Sequence, residues 1–244
     1  MFRSGFPICV AILTMLHSGN ALIGAIVDDH FDQNSRSLTS RISPLLTSHE
    51  GTASAMIRIY DQDDKLLAES KHESERPMPT ASLIKVAVMV EAYCQAAKGE
   101  VDLDQKIELT EDAKVPGSGI LTEHFSAGTQ FSIRDLIRLM MRYSDNTATN
   151  LVIDSVGIKA INAQMRGLGY PTTQIFAKVF RRDTSVDLEK SKQFGLGSTS
   201  AGEILQLLNA IRSQRLARAE DCDEMLEHLE SCDDDLKLPR LLPG

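Results

Sequence analysis

Between Ala81 and Lys98 the chain puts apolar residues on every side of any helix it can form: Leu83, Ile84, Val86, Val88, Met89, Val90, Tyr93 and Cys94. Gly99 stops the run, and Thr80 stands where an N-cap belongs. A helix with no polar face must be covered all round by protein, so this segment is expected to be a central helix. Its first turn carries two groups that such a position does not call for, Ser82 and Lys85. At i and i+3 they share a helix face. A lysine made neutral by burial can take the proton of a serine hydroxyl, and the N–H groups and positive dipole of a helix start suit an oxyanion. The pair also reads as a capping serine beside a lysine that reaches for solvent.

The surrounding pattern supplies the cover. An amphipathic stretch over 30–51 predicts a helix ending near Gly51. "TASAMIRIY" (52–60) and "KLLAES" (65–70), separated by "DQDD", predict a hairpin. Ser132 and Asp135 open a helix to about Tyr143 in near-capping-box spacing. Further helices are expected over 147–156, closed by Gly157, then 158–167, 200–214 and 219–231. Residues 170–199 read as irregular and charged, and the acidic run 220–235 as a solvated face. A short sheet start followed by many helices gives an α+β class with an all-helical lobe.

At the N-terminus one Arg precedes the apolar run 6–16, and Gly19 and Ala21 then occupy the −3 and −1 positions of a cleavage site. This is the order of a secretory signal peptide over 1–21, with Ala25 a second possible cut, leaving a domain over 22–244. The apolar run is too short to span a bilayer, and no later one is long enough. The product is expected to be secreted or periplasmic. Its net charge of −8 argues against nucleic-acid partners and anionic membrane surfaces. Cys94 reads as a buried side chain, and Cys222 and Cys232 are too far apart along one helix for a disulfide. No cysteine spacing or H-E-x-x-H calls for a metal, and no cofactor is expected.

"YSDN" (143–146) lies at a helix–loop–helix junction. Ser144 can relay a proton to a leaving group and Asn146 can bond a substrate amide, although Ser-Asp-Asn is also good cap chemistry. S-x-x-K followed by S-D-N resembles the class A β-lactamase and penicillin-binding serine hydrolase family. "PTASLIKVAVMVEAY" resembles its serine-bearing central helix, and "MMRYSDNTATNLVIDSVG" its SDN region. "STSAGEILQLLNAI" and "DDLKLPRLLPG" resemble the helices that follow, so the likeness runs over roughly 30–244. The resemblance implies a small antiparallel sheet flanked by helices beside an all-helical lobe, with the reactive serine in the cleft between. It implies ring opening of a β-lactam, or of a peptidoglycan peptide, through an acyl-enzyme. Ser82 would be the nucleophile, Lys85 its proton acceptor, Ser144 the relay and Asn146 the amide contact. The backbone N–H of Ser82 would be half of an oxyanion hole.

Two features depart from the family. The stretch 178–197 contains no Glu-x-x-x-Asn; Asp183 and Asp187 have the spacing, and Glu189 is near. Asp183 is a possible deacylation base, or these acids pair with Arg181 and Arg182 as scaffolding. The Lys-Thr-Gly string expected on a late sheet strand does not occur, so the C-terminal strands are expected to be missing from this chain. The hairpin would then be a two-stranded remnant with an exposed edge. "PGSG" (116–119) is a turn or a loop whose Ser118 touches substrate. Three readings follow: a β-lactamase-like hydrolase, a penicillin-binding peptidase-like protein that deacylates slowly, and an inactive remnant or strand-borrowing module.

Overall fold

The computed structural model describes residues 8–15, 27–48, 50–61 and 63–231, with side chains described outside 8–15 and 27–29. The elements in chain order are β1 (Ile8–Met15), α1 (Val27–Thr47), β2 (Ala53–Tyr60), β3 (Leu66–His72), β4 (Met78–Pro79) and a 3-10 turn over Ala81–Ile84. There follow α2 (Lys85–Ala97), β5 (Lys106–Glu108), α3 (Leu121–His124), β6 (Gln130–Ser132), α4 (Ile133–Arg142), α5 (Asn146–Val156) and α6 (Ile158–Gly167). The chain continues with β7 (Gln174–Ile175), α7 (Leu188–Phe194), β8 (Gly197–Thr199), α8 (Ala201–Arg212) and α9 (Ala219–Glu230). Two compact units form: one holds residues up to Pro79 with Ser198–Asn209, the other Thr80–Gly197 with the residues from Ala210 on.

In the first unit β2 and β3 form the expected antiparallel hairpin, with Ile57 opposite Ser70 and Ile59 opposite Ala68. The predicted two-stranded remnant has a third member: β1 pairs in parallel with the whole of β2, from Ile8 beside Ala53 to Met15 beside Tyr60. The apolar run read as the core of an export signal thus satisfies the second backbone edge of β2. The expected cleavage position after Ala21, Gly19 and the alternative Ala25 lie outside the described residues. Helix α1 lies on β3, where Thr39 Oγ1 donates to Ser70 Oγ (2.9 Å) and Glu69 N donates to Ser35 Oγ (3.0 Å). It ends at Thr47, earlier than the predicted Gly51.

The second unit is built round α2, whose residues Lys85 to Gln95 are all buried, as its all-round apolarity requires. It packs against α4, α5, α6 and α9. Gly99, at φ +73°, closes the C-terminal end. The start differs from expectation. Residues 81–84 form a tighter 3-10 turn, and the Thr80 side chain makes no cap bond. Its backbone is already helical, at φ −90° and ψ −27°, whereas a side-chain cap needs an extended residue. Helix α4 begins as predicted, with Asp135 N donating to Ser132 Oγ at 3.0 Å, and Gly157 at φ +87° ends α5.

The stretch 170–199 is more ordered than its charged sequence predicts. Asp187 Oδ1 accepts from Lys190 N at 3.0 Å and opens α7, and Gly195 at φ +72° ends it. The caps were legible; the missing apolar face concealed the helix. The acidic run is not simply a solvated face either, because Asp221 is buried and pairs with Arg218 at 2.8 Å. Glu224 pairs with Arg134 on α4. Cys94 and Cys222 are both free and buried; Cys232, the end of the acidic run and "DDLKLPRLLPG" lie outside the described residues.

One buried polar bond pins α9 to the central helix: Tyr93 Oη and His228 Nε2 are 2.9 Å apart. Burial holds the His228 imidazole below its ordinary pKa of 6.5, against the pull of Glu224. The unfolded chain therefore binds the proton first as pH falls below 6.5, and stability from this site is lost towards acid. H228Q should cost about 1–3 kcal/mol near pH 7.5. That difference from the parent should shrink in thermal melts taken down to pH 5.

Candidate active site

Lys85 is the first residue of α2 and only 2% exposed. Its ammonium donates to the Ser144 carbonyl (2.6 Å), to Ser144 Oγ (3.0 Å) and to Asn146 Oδ1 (3.1 Å). An ammonium has three protons, so all are committed to the α4–α5 junction, two to Ser144 and one to Asn146 at the start of α5. Burial pushes the Lys85 amine down to about 8, against the pull of the nearby Asp145 carboxylate. The structure thus brings together Lys85, Ser144 and Asn146 as the sequence predicts. Ser82 lies one turn before Lys85, with its side chain exposed.

The loop is held by its middle residue. Asp145 is 1% exposed, and its Oδ1 caps α5 by accepting from Ala148 N at 2.8 Å. Its Oδ2 accepts from Ile120 N (2.7 Å) and Leu121 N (2.9 Å). Asn146 completes the clamp: its backbone N donates to the Ser118 carbonyl (3.0 Å) and its Nδ2 to the Pro116 carbonyl (3.1 Å). "PGSGIL" is therefore a loop docked on the Ser-Asp-Asn turn. Ser118 is exposed, and it meets Asn146 through its carbonyl. Both ends of the Asn146 amide are already engaged within the protein.

Sequence reasoning missed the glycines that allow this docking. A Cβ at Gly117 would lie 2.7 Å from Asn146 Nδ2, and one at Gly119 would lie inside the Asp145 carboxylate. Both have positive φ, +95° and +119°. The G-S-G spacing was the available signal. Backbone strain gathers at the same place: Ala81 (φ +44°), next to Ser82, and Ser144 (φ +51°) are left-handed without being glycine. Such strain concentrates where the surrounding structure fixes a working geometry.

The expected acids of 178–197 sit differently. Asp183 is 70% exposed in its side chain and 3.7 Å from Arg181 Nε. Asp187 is the α7 cap, and Glu189 pairs with Lys192 at 2.7 Å. None of them bonds Lys85, Ser144 or Asn146. Asn150, one turn beyond Asn146, instead grips this stretch: Val179 N donates to its Oδ1 (2.8 Å) and its Nδ2 donates to the Val179 carbonyl (3.0 Å). G119A should destabilise the second unit by about 2–4 kcal/mol, because a Cβ at that φ meets a buried carboxylate with nowhere to move; chemical denaturation measures it.

Beta-lactamase BRO-1 of Moraxella catarrhalis is 25% identical over 168 residues, covering 64% of this chain and 53% of that protein. Beta-lactamase L2 of Stenotrophomonas maltophilia is 28% identical over 146 residues, covering 56% and 47%. The chain spans about half the length of the curated relatives it matches. A beta-lactamase crystal structure from Sphaerobacter thermophilus has TM-score 0.73 at 27% identity, covering 85% of this chain and 74% of that one. A mutant of PBP-A, solved as an acyl-enzyme complex with penicillin G, has TM-score 0.70 at 21% identity, covering 86% and 74%. At that identity the likeness is one of fold alone. The fold is the α+β, β-lactamase/transpeptidase-like one. With the model of the beta-lactamase enzyme family matching residues 37–244, the chain belongs to that family.

Proposed function

We propose that this chain is a serine hydrolase that opens β-lactam rings through an acyl-enzyme on Ser82. The observation that carries the reading is the buried Lys85 amine bonded at once to Ser144 Oγ and Asn146 Oδ1. An amine near pKa 8 is partly neutral at neutral pH, and loss of one proton gives it a lone pair. The Ser82 hydroxyl, one turn away, attacks the lactam carbonyl carbon as its proton passes to Lys85. The negative charge that develops on the carbonyl oxygen lies at the positive end of a helix start. The C–N bond then breaks. Ser144 Oγ, 3.0 Å from Lys85 Nζ, hands a proton to the departing ring nitrogen and regains one from Lys85. The product is a Ser82 ester, which water hydrolyses to release the opened ring and restore the serine. Asn146 positions Lys85 through Oδ1, and Nδ2, which gives one proton to the Pro116 carbonyl, has its second proton for the substrate's side-chain amide; Ser118 lies on the docked loop beside it.

A second reading concerns how fast that ester is cleared. Asp183, the acid with the expected spacing, is exposed and beside Arg181. Its carboxylate favours a scaffold role, and a water without a fixed base attacks slowly. A long-lived ester on Ser82 is the behaviour of a penicillin-binding protein acting on peptidoglycan peptides. We further propose export to the periplasm or the medium with cleavage after Ala21, leaving a domain over 22–244. That cut removes β1 from beside β2; N-terminal sequencing of exported protein should begin at Leu22.

Intact mass after benzylpenicillin exposure should show one adduct on the parent chain and none on S82A; an unlabelled parent overturns the acyl-enzyme. The acylation rate should climb about tenfold per pH unit from pH 6 and level off above about 8, because the base must be neutral. K85A should slow acylation by about 100- to 10,000-fold. The adduct lifetime in D183N should match the parent's; a lifetime lengthened about 100-fold would make Asp183 the deacylation base.

A further inference from the structure

Phe180 carries a strain that its burial does not repay. Its φ of +56° places a bulky side chain in the left-handed region, yet the residue is 64% exposed. Both neighbours are tied down. Val179 is held at N and O by Asn150, at 2.8 and 3.0 Å. Arg181 Nη1 donates to the Asp112 carbonyl at 3.2 Å, and Arg181 N to the Lys178 carbonyl at 3.2 Å. The conformation at 180 is therefore imposed from either side, and its result is the position of the ring. Phe180 Cε2 lies 3.1 Å, and Asn146 Nδ2 2.7 Å, from the point a Cβ on Gly117 would occupy. The other end of that amide bonds Lys85 Nζ. An exposed aromatic ring thus stands one glycine away from the amide that holds the amine.

We propose that Phe180 is a specificity residue: its ring is an apolar wall for the side chain of the substrate's acyl group, favouring substrates with an aromatic or large apolar substituent there. This rests on the acyl-enzyme reading of Ser82. An aromatic–aromatic contact of this kind changes selectivity several-fold rather than by orders of magnitude. It also explains why exposure and strain coincide: the ring is kept open to solvent for a ligand to cover.

The test compares acylation rate constants for benzylpenicillin and for 6-aminopenicillanic acid, the same nucleus without the phenylacetyl group. F180N tolerates the left-handed backbone and removes the ring. It should lower the benzylpenicillin to 6-aminopenicillanic acid ratio about fivefold by slowing benzylpenicillin alone. F180W should keep the ratio, and F180N should melt no lower than the parent because it relieves strain. An unchanged ratio in F180N, or equal slowing of both lactams, overturns the specificity role while leaving the acyl-enzyme intact. A parent chain labelled by neither lactam overturns the acyl-enzyme and this inference with it.

Discussion

The bond from the Lys85 ammonium to the Ser144–Asn146 loop is the contact on which the second unit's polar architecture turns. It joins residues 59 to 61 positions apart in the chain, with one end at the start of the most buried helix. A charged or half-charged amine taken out of water is costly unless every proton finds an acceptor. The loop supplies three, and it can do so only because Asp145 fixes it from below and the 116–121 segment fixes it from the side. Placement of the amine, the left-handed Ser144 and the two close-approach glycines are parts of one solution.

The same unit solves a second problem with a repeated device. Irregular backbone between helices must still satisfy its N–H and C=O groups. Asparagine amides act here as short surrogate strands: Asn150 takes both polar groups of Val179, and Asn162 takes both of Ile175, at 2.8 and 2.9 Å. Asn146 and Asn150 stand one helical turn apart on α5, so one face of that helix anchors both the 116–118 turn and the 178–180 stretch. Side chains borne on one helix thus anchor two of the loops beside Lys85.

Much of this was legible in the letters. The all-round apolarity of 81–98 gave the central helix, and Ser132, Asp135 and Gly157 gave the ends of α4 and α5. Ser82, Lys85, Ser144 and Asn146 stood out through the resemblance that S-x-x-K and S-D-N carry together, and the structure places Lys85 against Ser144 and Asn146. What could not be read was whatever depends on another segment's position. Thr80 looks like a cap until its backbone proves helical. Asp187 and Gly195 bracket a helix that no apolar stripe announces. The 8–15 run carries a signal-peptide pattern, and nothing in it reveals that its backbone can complete β2. Gly117 and Gly119 look like ordinary turn residues because the groups that forbid a side chain, Asn146 and Asp145, arrive from elsewhere.

An amine whose every proton is spoken for can accept another group's proton only by first letting one of its own bonds go. Readiness for chemistry and rigidity of the loop therefore pull against each other at a single nitrogen.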